Sequence, residues 1–178
     1  LDELTGRGTF SLAIPALPAF TTPTVAMFGW AVVIGVGCPL IGWLVYTIAL
    51  SLRTLVHARR FVVTPLLGVT IAVLAIVFAE ITGQAQANVL FSGQAQLPVL
   101  IEQSATWSTG ALLVLIVCKG LAYGLSLSAF RGGPIFPSLF IGGAIGLVVA
   151  DLPGMSIVPG LAIGIGAMCV SMLKLPFT

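Results

Sequence analysis

The sequence has very little charge. Seven of its 178 residues are Lys or Arg and five are Asp or Glu. Charged residues therefore make up 7% of the chain, against roughly 25% in an ordinary soluble domain. Hydrophobic residues reach 58%, which excludes a disordered chain and leaves too few charges to solubilise a globular core. The net charge of +2 comes without a basic stripe, so nucleic-acid binding is excluded as well. The composition predicts an integral membrane protein.

Groups for catalysis or metal binding are also scarce. His57 is the only histidine and lies in a basic segment, which argues against a buried Ser–His dyad. The sequence contains no His-Glu-x-x-His motif and no cluster of acids, which argues against metal-assisted hydrolysis. The cysteines, Cys38, Cys118 and Cys169, are odd in number and lie in apolar runs. We expect them to be small buried apolar residues that neither form disulfides nor bind a metal. We therefore predict a protein that is not an enzyme and holds no metal or cofactor.

Long uncharged stretches are what the sequence does contain. They occupy residues 8–52, 61–79, 103–118, 132–150 and 152–173. Because a membrane-spanning helix needs about 20 apolar residues, the chain has room for five or six membrane helices, some of them broken or re-entrant. The predicted fold class is an all-α, polytopic membrane bundle.

Prolines, glycines and polar residues give the expected boundaries. Residues 1–24, rich in proline and threonine, are predicted to be an irregular connecting segment. The polar segment 83–98 is predicted to be a short helix or re-entrant loop, whose glutamines either line a water-filled path or lie at the interface. Helices are expected at about residues 25–56, 64–82, 106–127, 135–149 and 160–173. Glycines four residues apart, at 142 and 146 and again at 160 and 164, predict close packing of helices.

A basic cluster lies between the first two expected helices. Arg53, His57, Arg59 and Arg60 come within eight residues, with no acid among them. By the positive-inside rule this segment is predicted to be cytoplasmic. The alternative is that the same charges bind a substrate.

The most informative stretch for function is Arg131–Gly146, which reads RGGPIFPSLFIGGAIG. Two glycines and two prolines precede an apolar helix. If that helix begins within the bilayer, its unpaired N–H groups and positive dipole end attract anions. Irregular backbone at such a depth must be buried in protein or line a cavity. The alternative is an ordinary loop at the membrane surface.

The segment Gly132-Gly133-Pro134-Ile135-Phe136-Pro137 resembles the Gly-Gly-x-Phe-x-Pro motif of the CLC chloride channels and chloride/proton antiporters. Lys119 matches a basic residue that members often carry on the preceding helix. The later stretch GIGAM at 164–168, followed by LKLPFT at 173–178, resembles the family's glycine–alanine helix and its ending. The resemblance covers about residues 25–178 and is strongest over 110–178.

The resemblance implies chloride transport by a channel or an antiporter. Residues 25–178 would be a partial CLC-like transmembrane domain, most of the second inverted repeat and truncated at both ends. The implied partners are membrane lipid, the missing first-repeat half of the same protein and a second copy in a homodimer, and the implied location is the plasma membrane. Chloride would be the substrate, and no cofactor is implied.

The implied chloride-binding loop consists of Gly132, Gly133, Pro134, Ile135, Phe136 and Pro137. In it, the backbone N–H of Ile135, and of Phe136 as a second donor, would face the ion. The chain departs from the motif in two ways. Pro134 has no N–H where the family usually offers one, and Phe136 comes one position late.

Two basic residues are candidates for electrostatic support of the anion. Lys119 would add positive potential near the anion path; alternatively it pairs with Glu80 or Glu102, or extends toward an interface. Arg131 would compensate for the lost contact or only anchor the loop. The competing functions are transport of another solute and a non-conducting membrane scaffold.

Overall fold

The computed structural model describes residues 22–130 and 132–174. Within these ranges the chain forms only helices, with one 3-10 turn at Ser104–Thr106, and the predicted all-α fold class is confirmed. The helices are α1 (Val25–Ala58), α2 (Arg60–Thr82), α3 (Ala87–Leu90), α4 (Gln96–Glu102), α5 (Thr109–Ala129), α6 (Ile135–Ala150) and α7 (Ile157–Leu173). Most of the predicted connecting segment 1–24 lies outside the described residues, and residues 22–24 precede α1 without regular structure.

The helices fall into two length classes. α1, α2 and α5 are long and apolar enough to cross a membrane. α6 and α7 are apolar but have only 16 and 17 residues. At about 1.5 Å per residue they reach roughly 24 and 26 Å, less than the bilayer core of about 30 Å. The last two helices are therefore short for a full crossing, as expected for broken membrane helices.

The junction between α1 and α2 is tighter than the predicted loop. α1 continues to Ala58 and α2 begins at Arg60, so Arg59 alone separates them. The predicted start at residue 64 was four residues late. Arginine and alanine are good helix formers and no glycine or proline interrupts the segment before Pro65, so both helices extend through it. Pro65 is therefore the sixth residue of α2 and lies beyond its first turn, so its missing N–H leaves the carbonyl of Phe61 without the usual i→i−4 donor.

The polar segment after α2 turns back into the protein. Gly83 ends α2 in the left-handed conformation, with φ 69°, and the two short helices α3 and α4 follow. Although the segment is polar, Val89, Leu97 and Leu100 are almost fully buried in the same apolar core as residues of α5 and α6. The segment therefore forms short helices packed on the bundle and supplies part of its core.

The α6–α7 interface depends on two glycine pairs. Gly142 lies against Gly164, and Gly146 lies against Gly160, so closely that an added Cβ would strike the backbone of the other helix. The spacing of four residues on each helix puts both glycines on one face. The predicted close packing is present, and it joins these two helices to each other.

The bundle has two distinct ends. At the basic end, defined by Arg53, His57, Arg59 and Arg60, the end of α1 and the start of α2 pack against the end of α5 through one apolar cluster. At the Asp151 end, defined by the α6–α7 connection at residues 151–156, the Trp30 indole donates to Pro153 O at 3.1 Å. There Thr109 Oγ1 also donates to Asp151 Oδ2 at 3.0 Å.

Candidate functional site: a cavity at the α5–α6 break

A cavity of about 550 Å³ lies beside the break between α5 and α6. α5 ends at Ala129 and α6 begins at Ile135, and the described residues between them, 130 and 132–134, are non-helical. The cavity is lined by residues of α2, of the segment 87–93 that contains α3 (the α3 segment), of α5 and of the start of α6. Five residues of the predicted chloride-binding loop are among them: Gly132, Gly133, Ile135, Phe136 and Pro137.

The start of α6 leaves two N–H groups available. Pro134 is the N-cap residue, and its carbonyl accepts from Ser138 N at 3.2 Å. Pro134 and Pro137 carry no N–H, so the first turn of α6 offers Ile135 and Phe136 as donors. Neither N–H has a backbone acceptor among the described residues. Ile135 is half exposed at 50%, and both Ile135 and Phe136 line the cavity.

The break lies on the side of the bundle that carries the basic end. A Cβ placed on Gly68 would lie 4.0 Å from Cζ of Phe130, the residue that follows α5. Gly68 is eight residues beyond Arg60 in α2, about 12 Å along the helix axis. The end of α5 packs against the start of α2 in the apolar cluster of the basic end, and the tip of the Phe130 ring lies about two helical turns along α2 from Arg60.

Lys119 is buried in the wall of this cavity. Its side chain is 2% exposed, and its Nζ donates to Val89 O at 3.1 Å and to Phe91 O. The ammonium also lies 5.1 Å from the centre of the Phe140 ring. Its hydrogen bonds within the described chain thus go to carbonyl oxygens at the end of α3. They leave its positive charge without a carboxylate partner.

The electrostatic character of the cavity is positive. The N-terminus of α6 contributes the positive end of a helix dipole, and Lys119 contributes a buried charge. The described residues that line the cavity include no Asp or Glu. Such a site favours an anion over a cation.

Three further polar residues, Ser92, Tyr123 and Ser126, line the cavity and were not among the predicted site residues. Tyr123 and Ser126 follow Lys119 at intervals of four and three residues on α5, which places all three on one helix face. That spacing is the signal by which the sequence could have identified them. Arg131, the other predicted basic residue, lies outside the described residues.

Comparison with known proteins supports an ion-transport family. A family model described as "Voltage gated chloride channel" matches residues 5–178. No match was found among curated proteins or solved structures. The matched range contains all the described helices and the whole cavity. The members of this family are membrane channels and transporters, not enzymes, and they transport anions. The chain therefore belongs to the voltage-gated chloride channel family.

Proposed function

We propose that the protein carries chloride across a membrane, and that the start of α6 binds the ion with backbone N–H groups. The single observation that carries the proposal is the position of the Ile135 and Phe136 N–H groups. They lie at the start of a helix that borders a cavity whose described lining residues include no carboxylate. A helix N-terminus supplies both donors and a positive dipole end. The site needs few basic side chains.

The position of the break supports the same function. The cavity beside this helix start extends along α2 to Gly68 and Ile71, about two to three helical turns beyond Arg60. Non-helical backbone within the bilayer is tolerated where it lines a cavity, and the glycines at 132 and 133 are exposed there. Such an arrangement is typical of transporters built from broken helices.

The proposal assigns supporting roles to the basic residues. Lys119 raises the electrostatic potential of the cavity from α5, and Arg131 does so from the loop before α6. As the resemblance implies, helices of the first repeat close the cavity, and the whole protein works as a homodimer in the plasma membrane, surrounded by lipid. Channel and antiporter mechanisms both use such a site.

A charge substitution at Gly133 tests the proposal. Gly133 has no atoms within 4 Å of an added Cβ, and its φ lies outside the positive range that glycine alone tolerates. In Gly133→Asp, a carboxylate just before α6 would compete with chloride for the helix N-terminus. We expect chloride flux from liposomes containing the full-length protein to fall by at least about tenfold, since a favourable charged contact is worth about 1.5–3 kcal/mol.

The matched control is Gly133→Asn, which has the same shape and no charge. It should keep most of the flux. Equal flux for the Asp and Asn variants would contradict an anion site at this helix start. Absence of chloride flux in the wild-type protein would instead favour a scaffold or the transport of another solute.

A further inference from the structure

Three arginines of the basic end lie together where two membrane-spanning helices meet. Arg59 is the single residue between α1 and α2, Arg60 is the first residue of α2, and Arg53 precedes the end of α1 by five residues, about 8 Å along the helix axis. All three side chains are exposed. Because Arg59 alone joins the two helices, their ends are adjacent, and the arginines form one positively charged surface.

Arg53 and Arg60 lie on either side of the contact between the two helices. Val56 of α1 and Val63 of α2 are buried in the same apolar cluster, and each comes three residues after one of these arginines. Residues three apart share a face of a helix, so both arginines lie beside this contact. Their charges can therefore act on the same ligand.

The described carboxylates lie far from this surface. α1 contains no acid, and α2 contains only Glu80, which is twenty residues beyond Arg60 and about 30 Å away along the helix. Glu102 ends α4, seven residues before α5 begins, and Asp151 accepts a hydrogen bond at the start of α5, toward the opposite end of the bundle. Arg60 also faces the positive end of the α2 dipole, because the first turn of α2 contains no acid. The surface therefore favours an anionic ligand.

Exposed apolar side chains adjoin the arginines. Phe61, directly after Arg60, is 93% exposed, and Val62 is 69% exposed. On α1, Leu55 follows Arg53 by two residues and is also exposed. A soluble anion would contact only the guanidinium groups, whereas a phospholipid brings a phosphate to the arginines and acyl chains to the apolar residues. Charge beside exposed apolar surface, at the ends of two membrane spans, thus favours a phospholipid.

We propose that the arginines of the basic end bind the phosphate groups of anionic phospholipids in the adjacent leaflet. A guanidinium group can hold a phosphate through paired N–H donors, and basic residues next to a membrane helix attract anionic headgroups. None of the three arginines is among the residues that line the cavity at the α5–α6 break. The lipid site is therefore separate from the proposed chloride site and does not depend on it.

The experiment titrates dihexanoyl phosphatidylglycerol into the full-length protein in detergent and follows the Tm, which rises when a ligand binds the folded state. Two reference ligands separate the charge from the chains. Dihexanoyl phosphatidylcholine has the same chains and no net charge, and glycerol 3-phosphate has the charge and no chains. We expect phosphatidylglycerol to raise Tm at concentrations at which neither reference does so. Added salt should weaken this effect, because it screens exposed charges.

Substitutions then locate the site. For Arg53→Gln, Arg59→Gln and Arg60→Gln, we expect the affinity for phosphatidylglycerol to fall about fivefold each, which corresponds to about 1 kcal/mol per basic residue near an anionic surface. The Lys variants at these positions should keep most of the affinity. Lys174→Gln is the matched control, because Lys174 is also exposed but lies over the Tyr46 ring, away from the α1–α2 junction. Its affinity should be unchanged. Each variant is compared with its own lipid-free Tm, so that a loss of stability is not mistaken for a loss of binding.

Four results would overturn the proposal. The absence of a shift with phosphatidylglycerol would show that the surface binds no such lipid, and an equal shift with phosphatidylcholine would assign the binding to the acyl chains. An equal shift with glycerol 3-phosphate would assign the arginines to a soluble anion. Wild-type affinity in all three Gln variants would place the lipid elsewhere on the protein. The proposed chloride transport would stand in each case, since none of these measurements involves chloride flux.

Discussion

Lys119 shows how a buried charge can serve the structure and the site together. Burial of an ammonium without a carboxylate is costly, and here two backbone carbonyls and an aromatic ring share its stabilisation. The carbonyls belong to Val89 and Phe91, at the end of a helix of only four residues. Lys119 thereby holds the α3 segment against α5, and its uncompensated charge remains beside the cavity.

Lys119→Met should loosen the α3 segment. Methionine is similar in length but has no donor, so two carbonyls lose their partner, and an unpaired buried polar group costs about 1–3 kcal/mol. We expect a lower Tm for the full-length protein in detergent and faster amide exchange over residues 87–93.

The control for this change is Lys174→Met. Lys174 is exposed, and its contact with the Tyr46 ring is worth at most about 1 kcal/mol at an exposed site. A Lys119→Met protein as stable as the wild type would show that the carbonyls of the α3 segment need no donor from α5.

Sequence reasoning reached some of the site residues and missed others for a physical reason. The motif at 132–137 is contiguous, so its glycines and prolines could be recognised without knowledge of the fold. The partners of Lys119 could not, because Val89 and Phe91 contribute backbone oxygens, which carry no signature in the side-chain sequence. The predicted pairing with Glu80 or Glu102 considered side chains only, and both are exposed. Tyr123 was missed because its place in the cavity wall becomes evident only in three dimensions.

At the level of elements, the α6–α7 pair fixes the start of α6 in place. Glycines at the crossing allow the two backbones to come close, so that dispersion contacts replace side-chain packing. α7 is a helix with many small residues, and the fully buried Phe140 and Ile141 of α6 flank the contact. Under the proposed function, in which the N-terminus of α6 binds an ion, a rigid partner helix keeps that N-terminus in position.

Two glycine substitutions should have opposite effects on this interface. An added Cβ on Gly146 would lie 2.6 Å from Gly160 O and 2.7 Å from Leu161 Cα, so Gly146→Ala must push the helices apart. We expect it to destabilise the protein by about 1–3 kcal/mol, the usual cost of overpacking. The measurement is thermal unfolding in detergent.

Gly166→Ala, on α7 but with no atom within 4 Å of its Cβ, is the control. It should stabilise the protein by up to about 1 kcal/mol, since alanine is the better helix former. A similar Tm change in the two variants would show that helix propensity, and not the α6–α7 contact, governs both positions.

The helix boundaries show where sequence patterns suffice. α1 begins at Val25 as predicted, since Thr24 and Pro23 mark its start, and α2 ends at Thr82 before a left-handed glycine. The start of α7 was predicted at residue 160 but lies at Ile157, because Pro159 falls in the first turn of the helix, where proline is favoured. The short helices after α2 could be placed only roughly, because their burial depends on contacts with distant α5 and α6.

At the level of the whole molecule, the scarcity of charge agrees with anion transport. A site made from backbone N–H groups and a helix dipole adds no charged side chain to an apolar bundle. The described spans therefore need one buried lysine and no acid beside the cavity. Arg53, Arg59 and Arg60 are gathered at one end of the described bundle, where they can determine orientation.

The orientation of the bundle follows from that asymmetry and can be tested with cysteine labelling. The basic end carries Arg53, His57, Arg59 and Arg60, whereas Asp151 lies at the opposite end; by the positive-inside rule the basic end faces the cytoplasm. In the full-length protein with Cys38, Cys118 and Cys169 replaced by alanine, His57→Cys and Asp151→Cys each place one thiol at an exposed position.

A membrane-impermeant maleimide applied to intact cells should label Asp151→Cys and leave His57→Cys unmodified, and inside-out vesicles should give the reverse. Opening the membrane with detergent should make both thiols reactive, which controls for local accessibility. Labelling of His57→Cys in intact cells would show that the bundle has the opposite orientation. The cavity, which lies beside the end of α5 on the side of the basic end, would then lie nearer the outer face than the cytoplasmic one. In that orientation, the opening through which chloride enters from the cytoplasmic side would have to be formed by helices other than α2, α5 and α6.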